Sequence, residues 1–249
     1  MEVHHHPQLE KKRFKEYFLE FLMIFLAVTM GFFAENIREH FVDKQKEKEY
    51  VRSFVEDLSS DEIELPRLIN AIKRQQILAA DSLPVLLKDA STKTPANSIY
   101  YFLRGMVRQQ GIHAFITDRT IAQAKNSGEM RLIRNKQISD SLVDYYKEIE
   151  YVSYLQEALL NMKKGLSETS RTILNSYDYD KVSDSSDHLI NPHEILHLRS
   201  ADPAAINNCL FSVSDIKGLS RAIVRMIIGL TNEAVHLKQL IKDNYEIEK

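Results

Sequence analysis

The amino-acid sequence predicts an all-α protein, in which an N-terminal transmembrane helix continues into a charged stalk and a bundle of long helices. Only seven glycines and six prolines occur in 249 residues, too few turn-forming residues for a fold built from many short strands. Apolar residues recur instead at every third or fourth position over long stretches, which is the period of an amphipathic helix. A hydrophobic content of 44% with 27% charged residues is ordinary for a chain that buries a core.

Four segments follow from the distribution of apolar and charged residues. Residues 1–16 form a basic tail, residues 17–34 an apolar transmembrane anchor, residues 35–58 a charged stalk helix, and residues 59–249 a helical bundle domain. A helix of the anchor's length is about 27 Å long, close to the ~30 Å hydrocarbon core of a bilayer. We therefore expect the anchor to cross the membrane once, and the lipid bilayer to be a partner of this chain.

Three residues of the apolar segment call for comment. Glu20 is an acid near its start, and we expect it to lie at the membrane interface or to be paired, although a part in ion movement is the alternative. Ala27 and Gly31 form a small-xxx-small pair, which would let two such helices approach closely. The pair therefore predicts a homo-oligomer or a membrane-protein partner, with chance spacing as the alternative.

The charges beside the apolar segment bear on its orientation. The flanking basic residues are Lys11, Lys12, Arg13 and Lys15 before it, and Arg38, Lys44, Lys46 and Lys48 after it. The two counts are equal, but the leading group is concentrated against the segment, and long trailing domains cross a membrane largely regardless of charge. We expect the N-terminus to face the cytoplasm. Cleavage as a signal peptide is disfavoured because Phe32 is bulky at the position where a small residue is needed.

Overall charge and cysteine content limit other classes of function. The formal net charge of −2 gives no electrostatic reason to expect nucleic acid as a partner. The single cysteine, Cys209, cannot form an internal disulfide. Three consecutive histidines, residues 4–6, lie in a tail without fixed metal-binding geometry, and we predict no cofactor.

The bundle domain is predicted to begin at a turn. Ser59 and Glu62 have the spacing of a capping box, so a second helix should start there and bend or end at Pro84. Residues 91–97 are rich in loop-forming types, and a third helix should span residues 98–110.

Two long helices carry the strongest periodicity. One should run from near Asn135 to about Ser176, and the last should start at Asp202, with Pro203 at the first helical position. Their near-heptad seams consist of Ile138, Leu142, Tyr145, Ile149, Val152, Leu155, Leu159, Met162 and Leu166, and of Ile216, Leu219, Ile223, Ile227, Leu230, Ala234, Leu237 and Ile241. We expect these seams to pack together within one chain, and pairing between chains is the alternative.

The segment before the first of these helices contains a candidate binding site. A short helix, residues 120–125, should end at Gly128, since glycine adopts the left-handed conformation that a helix terminus needs. Thr120, Arg131 and Asn135 lie at the joints on either side. They form either an interhelical binding cleft or helix caps, and caps are commoner at such joints.

Two stretches of sequence resemble a family. The first is EYFLEFLMIFLAVTMGFFAENIREHFVDKQKEKEYVRSFVEDL, and the second, RTIAQAKNSGEMRLIRNKQISDSLVDYY, contains Ser127-Gly128, Asn135 and the closing pair Tyr145-Tyr146. Together they are similar to uncharacterised single-pass membrane proteins of Bacteroidetes, which have an N-terminal anchor and a helical domain of unknown function. The resemblance covers less than a third of the chain. It implies topology and fold, and no activity.

One string has a catalytic pattern. His193, Glu194 and His197 match H-E-x-x-H, which places two zinc ligands one helical turn apart beside a general base. Glu233 is a candidate third ligand, and with His236 it offers an alternative di-iron arrangement. However, Asn191-Pro192 immediately precedes the string and places it at the very start of a short helix. Exposed polar residues at a helix start are therefore the favoured interpretation.

The sequence thus leaves two classes of function. The favoured one is a non-enzymatic module that senses a ligand, or scaffolds or binds a partner, on the periplasmic side of the bacterial inner membrane. The alternative is a membrane-anchored zinc metallohydrolase in which Glu194 is the catalytic base and His193, His197 and Glu233 bind the metal.

Overall fold

The computed structural model describes residues 14–108 and 118–245. Within these ranges the chain is all-α and contains no β-strand, which confirms the predicted fold class. The α-helices are α1 (Phe14–Ile72), α2 (Leu78–Lys88), α3 (Asn97–Val107), α4 (Arg119–Ser127), α5 (Lys136–Ser170), α6 (Ser176–Tyr179) and α7 (Pro203–Asn244). Short 3-10 turns at Glu129–Leu132 and Asp180–Val182 follow α4 and α6.

The chain divides into two compact units, Met1–Glu49 and Tyr50–Lys249. The described part of the first unit is helical, and none of its apolar side chains is buried. The second unit has a hydrophobic core that begins with Tyr50, Val51 and Phe54.

The predicted turn at residue 59 is wrong, because α1 continues through it to Ile72. The Ser59 hydroxyl donates a hydrogen bond to the carbonyl of Val55, one turn back in the same helix, at 2.6 Å. A serine that bonds backwards in this way leaves the helix intact. Glu62, the supposed partner in the capping box, instead accepts a hydrogen bond from Lys238 on α7.

The predicted bend or end of the helix at Pro84 is not observed, and the helix is irregular earlier, before Pro84. Residues Lys73–Ile77 form a π-helical turn, in which the N–H of Leu78 donates to the carbonyl of Lys73. Helix α2 then continues past the exposed Pro84 to Lys88. The wider turn places the Gln76 side chain in the core, and π-turns of this kind are frequent at functional sites.

Helices α5 and α7 pack antiparallel along their length. Near one end, Thr169 Oγ1 lies 3.3 Å from Ser212 Oγ, and near the other, Asn135 Nδ2 lies 3.0 Å from Asn244 Oδ1. The predicted seams therefore meet within one chain. The prediction was wrong at one position on α5, because Met162 is exposed and its neighbour Lys163 is buried.

The local signals for helix ends were read correctly in three places. Gly128 follows α4 with a φ of 70°, Asn135 caps α5 by accepting from the N–H of Ile138, and Asp202 caps α7 by accepting from the N–H of Ala205. Helix α5 ends at Ser170, earlier than expected, and the chain turns before Asn175 caps the short α6. This turn creates the cavity described below.

Candidate functional site

Two aspartates on one face of α1 form the centre of a buried polar cluster. Asp57 and Asp61 lie one turn apart and are only 3% and 1% exposed. The hydroxyl of Tyr145 on α5 donates to Asp61 Oδ2 at 2.7 Å. The N–H of Thr120, at the start of α4, donates to Asp57 Oδ2 at 3.4 Å. The cluster thus connects three helices through their polar atoms.

The environment of this cluster favours neutral side chains. Burial raises the pKa of Asp57, and its hydrogen bonds from Thr120 only partly offset that effect. Burial, together with the nearby aspartates, also raises the pKa values of Tyr145 and Tyr146. Both phenols are therefore protonated at neutral pH, so Tyr145 can act as a donor to a carboxylate. The Tyr146 hydroxyl is buried without a hydrogen-bond partner in the part of the chain that the structure describes.

The three residues of the predicted interhelical cleft have different surroundings. Thr120 is buried against Asp57, whereas Arg131 is exposed. Asn135 caps α5 and also donates a hydrogen bond to Asn244, close to the end of α7. The contacts of Thr120 and Asn135 join helices, and the structure gives no shared contact between them.

The H-E-x-x-H string is not helical, contrary to the expectation that it starts a short helix. Residues 193–197 follow an irregular course against the start of α3. The Asn97 side chain fixes this course, because its Nδ2 donates to the carbonyls of Pro192 and Glu194 and its Oδ1 accepts from the N–H of Leu196. His193 and His197 therefore do not have the one-turn spacing on a helix that the zinc motif requires.

The remaining members of the predicted metal site lie elsewhere. Glu194 pairs with Lys181 at 2.9 Å. Glu233 lies on α7 beside the first half of α5, since the two helices run antiparallel, and burial and the nearby Glu148 raise its pKa. The string instead lies near the end of α5, and that helix rises about 33 Å from Glu148 to Ser170 at 1.5 Å per residue. Among the described residues, no group of three His, Cys, Asp or Glu side chains could hold a metal ion.

The end of α5 borders a cavity of about 440 Å³. Its walls include Arg171, Asn175 and Arg199. One buried phenol, Tyr100 on α3, holds two of these walls together. The Tyr100 hydroxyl accepts a hydrogen bond from the N–H of Asn175 at 2.6 Å and donates one to the carbonyl of His197 at 2.9 Å. The cavity is therefore a preformed feature of the bundle.

A buried lysine lies deeper in the bundle. Lys163 on α5 is 2% exposed, and its Nζ donates to the carbonyl of Arg108, just past the end of α3, at 2.8 Å. Burial lowers the pKa of Lys163 to about 8. Gln76, from the π-helical turn, approaches the same end of α3 and lies 3.4 Å from the carbonyl of Met106. Both side chains occupy the C-terminal end of α3, where a cation is favoured.

These buried polar residues and both arginines of the cavity were not predicted from the sequence. Asp57, Asp61 and Lys163 could have been noticed, since each falls at a core-facing position of an apolar stripe, beside Leu58, Leu65 and Leu166 respectively. A charged residue at such a position indicates a buried polar contact. Nothing in the local sequence joins Arg171 to Arg199, whose segments meet through the bond from the N–H of Arg199 to the carbonyl of Ile173 and through the contacts of Tyr100.

The apolar segment of the first unit has the composition of a membrane span. Helical residues from Phe14 onward include an 18-residue window with a mean hydropathy of 2.0, none of which is buried. This is the one span candidate among the described residues, and a signal sequence would have the same properties. Glu20 and Ala27 are exposed, and a side chain added at Gly31 would meet no atom within 4 Å.

Compared with models of protein families, with curated proteins and with solved structures, the chain matches none. The resemblance to the Bacteroidetes membrane proteins therefore stays a prediction.

Proposed function

We propose that this chain is a single-pass membrane protein whose helical bundle is a non-enzymatic module that senses a ligand or scaffolds or binds a partner. One observation carries the proposal: no residue of the 18-residue apolar window is buried. Exposed apolar side chains on all faces of a helix favour a lipid environment, because such a surface is unfavourable in water. The small residues Ala27 and Gly31 are open to a second helix, which supports a homo-oligomer or another membrane protein as a partner.

The site geometry favours binding over hydrolysis. Glu194 is the base that the metallohydrolase alternative requires, and it pairs with Lys181 at 2.9 Å. Glu233 is the third ligand in that alternative, and its neighbours are acids of α5, far from His197. The bundle does offer a cavity of about 440 Å³, a size within the usual range for sites that bind small molecules.

The proposal includes a location and a family. We place the N-terminus in the cytoplasm and the bundle in the periplasm, at the bacterial inner membrane, because long trailing domains cross regardless of flanking charge. We also group the chain with the single-pass Bacteroidetes proteins that residues 16–58 and 119–146 resemble.

Cysteine labelling in intact cells tests this topology. The native Cys209 is buried and burial raises its pKa to about 11, so it should not react with a maleimide. Tyr177→Cys adds a thiol at a position that is 86% exposed, and Gln8→Cys adds one in the basic tail. We expect a membrane-impermeant maleimide to label Tyr177→Cys in intact cells, and Gln8→Cys only after the inner membrane is opened. The reverse pattern would overturn the orientation.

Elemental analysis separates the module from the metallohydrolase. The full chain, purified in detergent without chelator, should contain no stoichiometric zinc or iron. We expect no metal in His193→Ala either. The control is His188→Ala, which removes an exposed histidine of the same segment, and it too should contain no metal. One zinc per chain that His193→Ala removes and His188→Ala retains would establish the alternative.

A further inference from the structure

The cavity at the end of α5 has an unusual balance of charge. Its walls carry two arginines, Arg171 and Arg199, and one acid, Asp180. The acid lies 3.7 Å from the guanidinium of Arg104, which also stacks over the ring of Tyr179. Much of the negative charge of Asp180 is therefore offset from outside the cavity. The net charge that the lining presents to a ligand is positive.

Neither guanidinium of the cavity is engaged by the described residues. The side chains of Arg171 and Arg199 make no hydrogen bond or ion pair within residues 14–108 and 118–245. Arg104 on the neighbouring α3 and Arg108 just past its end both pair with Asp187 instead. The two cavity arginines thus differ from the arginines beside them, whose charges are already matched.

Backbone hydrogen bonds fix the positions of both arginines in the cavity wall, while their side chains are exposed. The N–H of Arg171 donates to the carbonyl of Ser167, and the N–H of Arg199 donates to the carbonyl of Ile173 at 2.9 Å. Tyr100 connects the Asn175 turn to the carbonyl of His197, two residues before Arg199. These contacts constrain the backbone of the cavity walls, so binding of a ligand would have to order chiefly the two arginine side chains.

The polar lining completes the site. Ser167 and Ser176 line the cavity, and their hydroxyls make no hydrogen bond to another described residue. A guanidinium presents a planar fork of donors that matches the oxygens of a carboxylate or a phosphate. Hydroxyl groups can donate to the same oxygens.

We propose that this cavity binds a small soluble oxyanion, a molecule bearing a carboxylate or phosphate group, through the guanidinium groups of Arg171 and Arg199. The inference rests on the proposed function, since it names the class of ligand that the bundle would sense. It requires no chemical step, because the ligand is held and not transformed.

Titration calorimetry of the full chain in neutral detergent tests the proposal, with inorganic phosphate and citrate as the probes. Chloride keeps the ionic strength constant, so that general screening does not imitate binding. We expect saturable binding of at least one probe with one site per chain. Arg171→Ala and Arg199→Ala should each weaken it at least ~10-fold, which corresponds to about 1.4 kcal/mol. The control Arg225→Ala, which removes an exposed arginine of α7, should change it less than twofold.

A charge change of the opposite sign makes the test stricter. Asp180→Asn removes the one acid of the lining, so it should tighten binding by a few fold, an effect that a purely structural role would not produce. Unfolding of every variant in urea, followed by tyrosine fluorescence, checks that the bundle is intact. Asp180→Asn also keeps the proposal testable if an arginine variant fails to fold.

Three outcomes would overturn the inference. They are no binding of either probe beyond that of chloride, equal binding in the wild type and both arginine variants, or a response only in nanodiscs that contain phosphatidylglycerol. The last would indicate a lipid headgroup and not a soluble ligand. Calorimetry in detergent does not depend on orientation in the cell, whereas maleimide labelling does not depend on the cavity. Failure of the site is therefore distinguishable from failure of the proposed topology.

Discussion

The two compact units of this chain differ in the exposure of their apolar side chains. Phe32, in the first unit, is 73% exposed, whereas Phe54, in the second, is fully buried. Both phenylalanines lie on the same continuous helix, α1. Intrinsic helix propensity therefore cannot account for the difference. Tertiary packing accounts for it: Phe54 lies in the hydrophobic core with Val51 and Leu58, whereas no apolar side chain around Phe32 is buried.

The comparison shows what periodicity means physically. From Tyr50 onward the apolar residues of α1 recur at threes and fours, and those positions are buried. Between Tyr17 and Ala34 the apolar residues follow one another without a polar face. An apolar stripe on one face of a helix is removed from water when that face packs against other helices. An apolar surface on all sides needs an apolar solvent, which a bilayer provides.

Truncation of the two phenylalanines gives the largest contrast. Phe54→Ala should lower the free energy of unfolding of the bundle by about 3–5 kcal/mol, because it leaves a cavity in the core. Phe32→Ala should leave that free energy unchanged. Urea unfolding of the full chain in detergent, followed by tyrosine fluorescence, measures both. Equal effects would remove the distinction between the two environments.

The next test introduces an arginine into the apolar segment and, as a control, into an exposed position of the bundle. Leu26→Arg should disfavour membrane insertion by about 2.5–3.5 kcal/mol, the cost of an arginine near the centre of a span. Leu78→Arg, at a bundle position that is 55% exposed, should leave insertion unchanged. Partition of each variant between membrane pellet and supernatant is the readout. Unaltered partition of Leu26→Arg would contradict the placement of residues 17–34 in lipid.

Lys163 shows that the bundle interior also disfavours charge. Its pKa is about 8 in the folded chain, against an ordinary value of 10.5. The unfolded chain therefore binds more protons between these values, so the contribution of Lys163 to stability is fully present above pH 10.5 and is lost as the pH falls through 8. Lys163→Met should stabilise the bundle at pH 7 by about 1–3 kcal/mol, the gain being reduced by the lost hydrogen bond to Arg108.

The matched control for this change is its exposed neighbour. Lys164→Met should shift the free energy of unfolding by less than about 0.5 kcal/mol, as expected of a surface substitution. Urea unfolding at pH 7, 8, 9 and 10 should show the difference between wild type and Lys163→Met shrinking as the pH rises. A loss of stability in Lys163→Met at pH 7 that does not vary with pH would contradict the burial of a charge.

Adjacent tyrosines give the smallest and most selective contrast. Tyr145→Phe removes the donor to the buried Asp61 and should cost about 1–2 kcal/mol of unfolding free energy. Tyr146→Phe removes a buried hydroxyl that has no partner in the described part of the chain, so it should be neutral or slightly stabilising. Urea unfolding compares the two. A larger cost for Tyr146→Phe would show that its hydroxyl has a functional or structural partner.

The parts of the fold that the sequence predicted are those set by local chemistry. Gly128, Asn135 and Asp202 mark helix ends through bonds within their own turns, and the seams of α5 and α7 follow from spacing alone. The turn predicted at Ser59 was wrong because a serine hydroxyl can donate to a carbonyl one turn back inside a helix, as well as cap a new helix.

Long-range contacts account for what the sequence did not predict. The course of residues 193–197 depends on Asn97 and Tyr100, almost a hundred positions earlier in the chain. The burial of Lys163 depends on the carbonyl of Arg108, which the chain brings near only when α3 packs on α5. The candidate cavity depends on the same contacts, so spacing within one segment could not reveal it.

We infer above all that residues 17–34 remain in the protein as a membrane anchor. Alkaline carbonate extraction of cell membranes, followed by intact mass measurement of the chain, tests it directly. We expect the protein to stay in the membrane pellet with the mass of a chain that retains residues 17–34. A soluble protein whose mass corresponds to a start after Ala34 would contradict it, and would identify the apolar segment as a cleaved signal sequence.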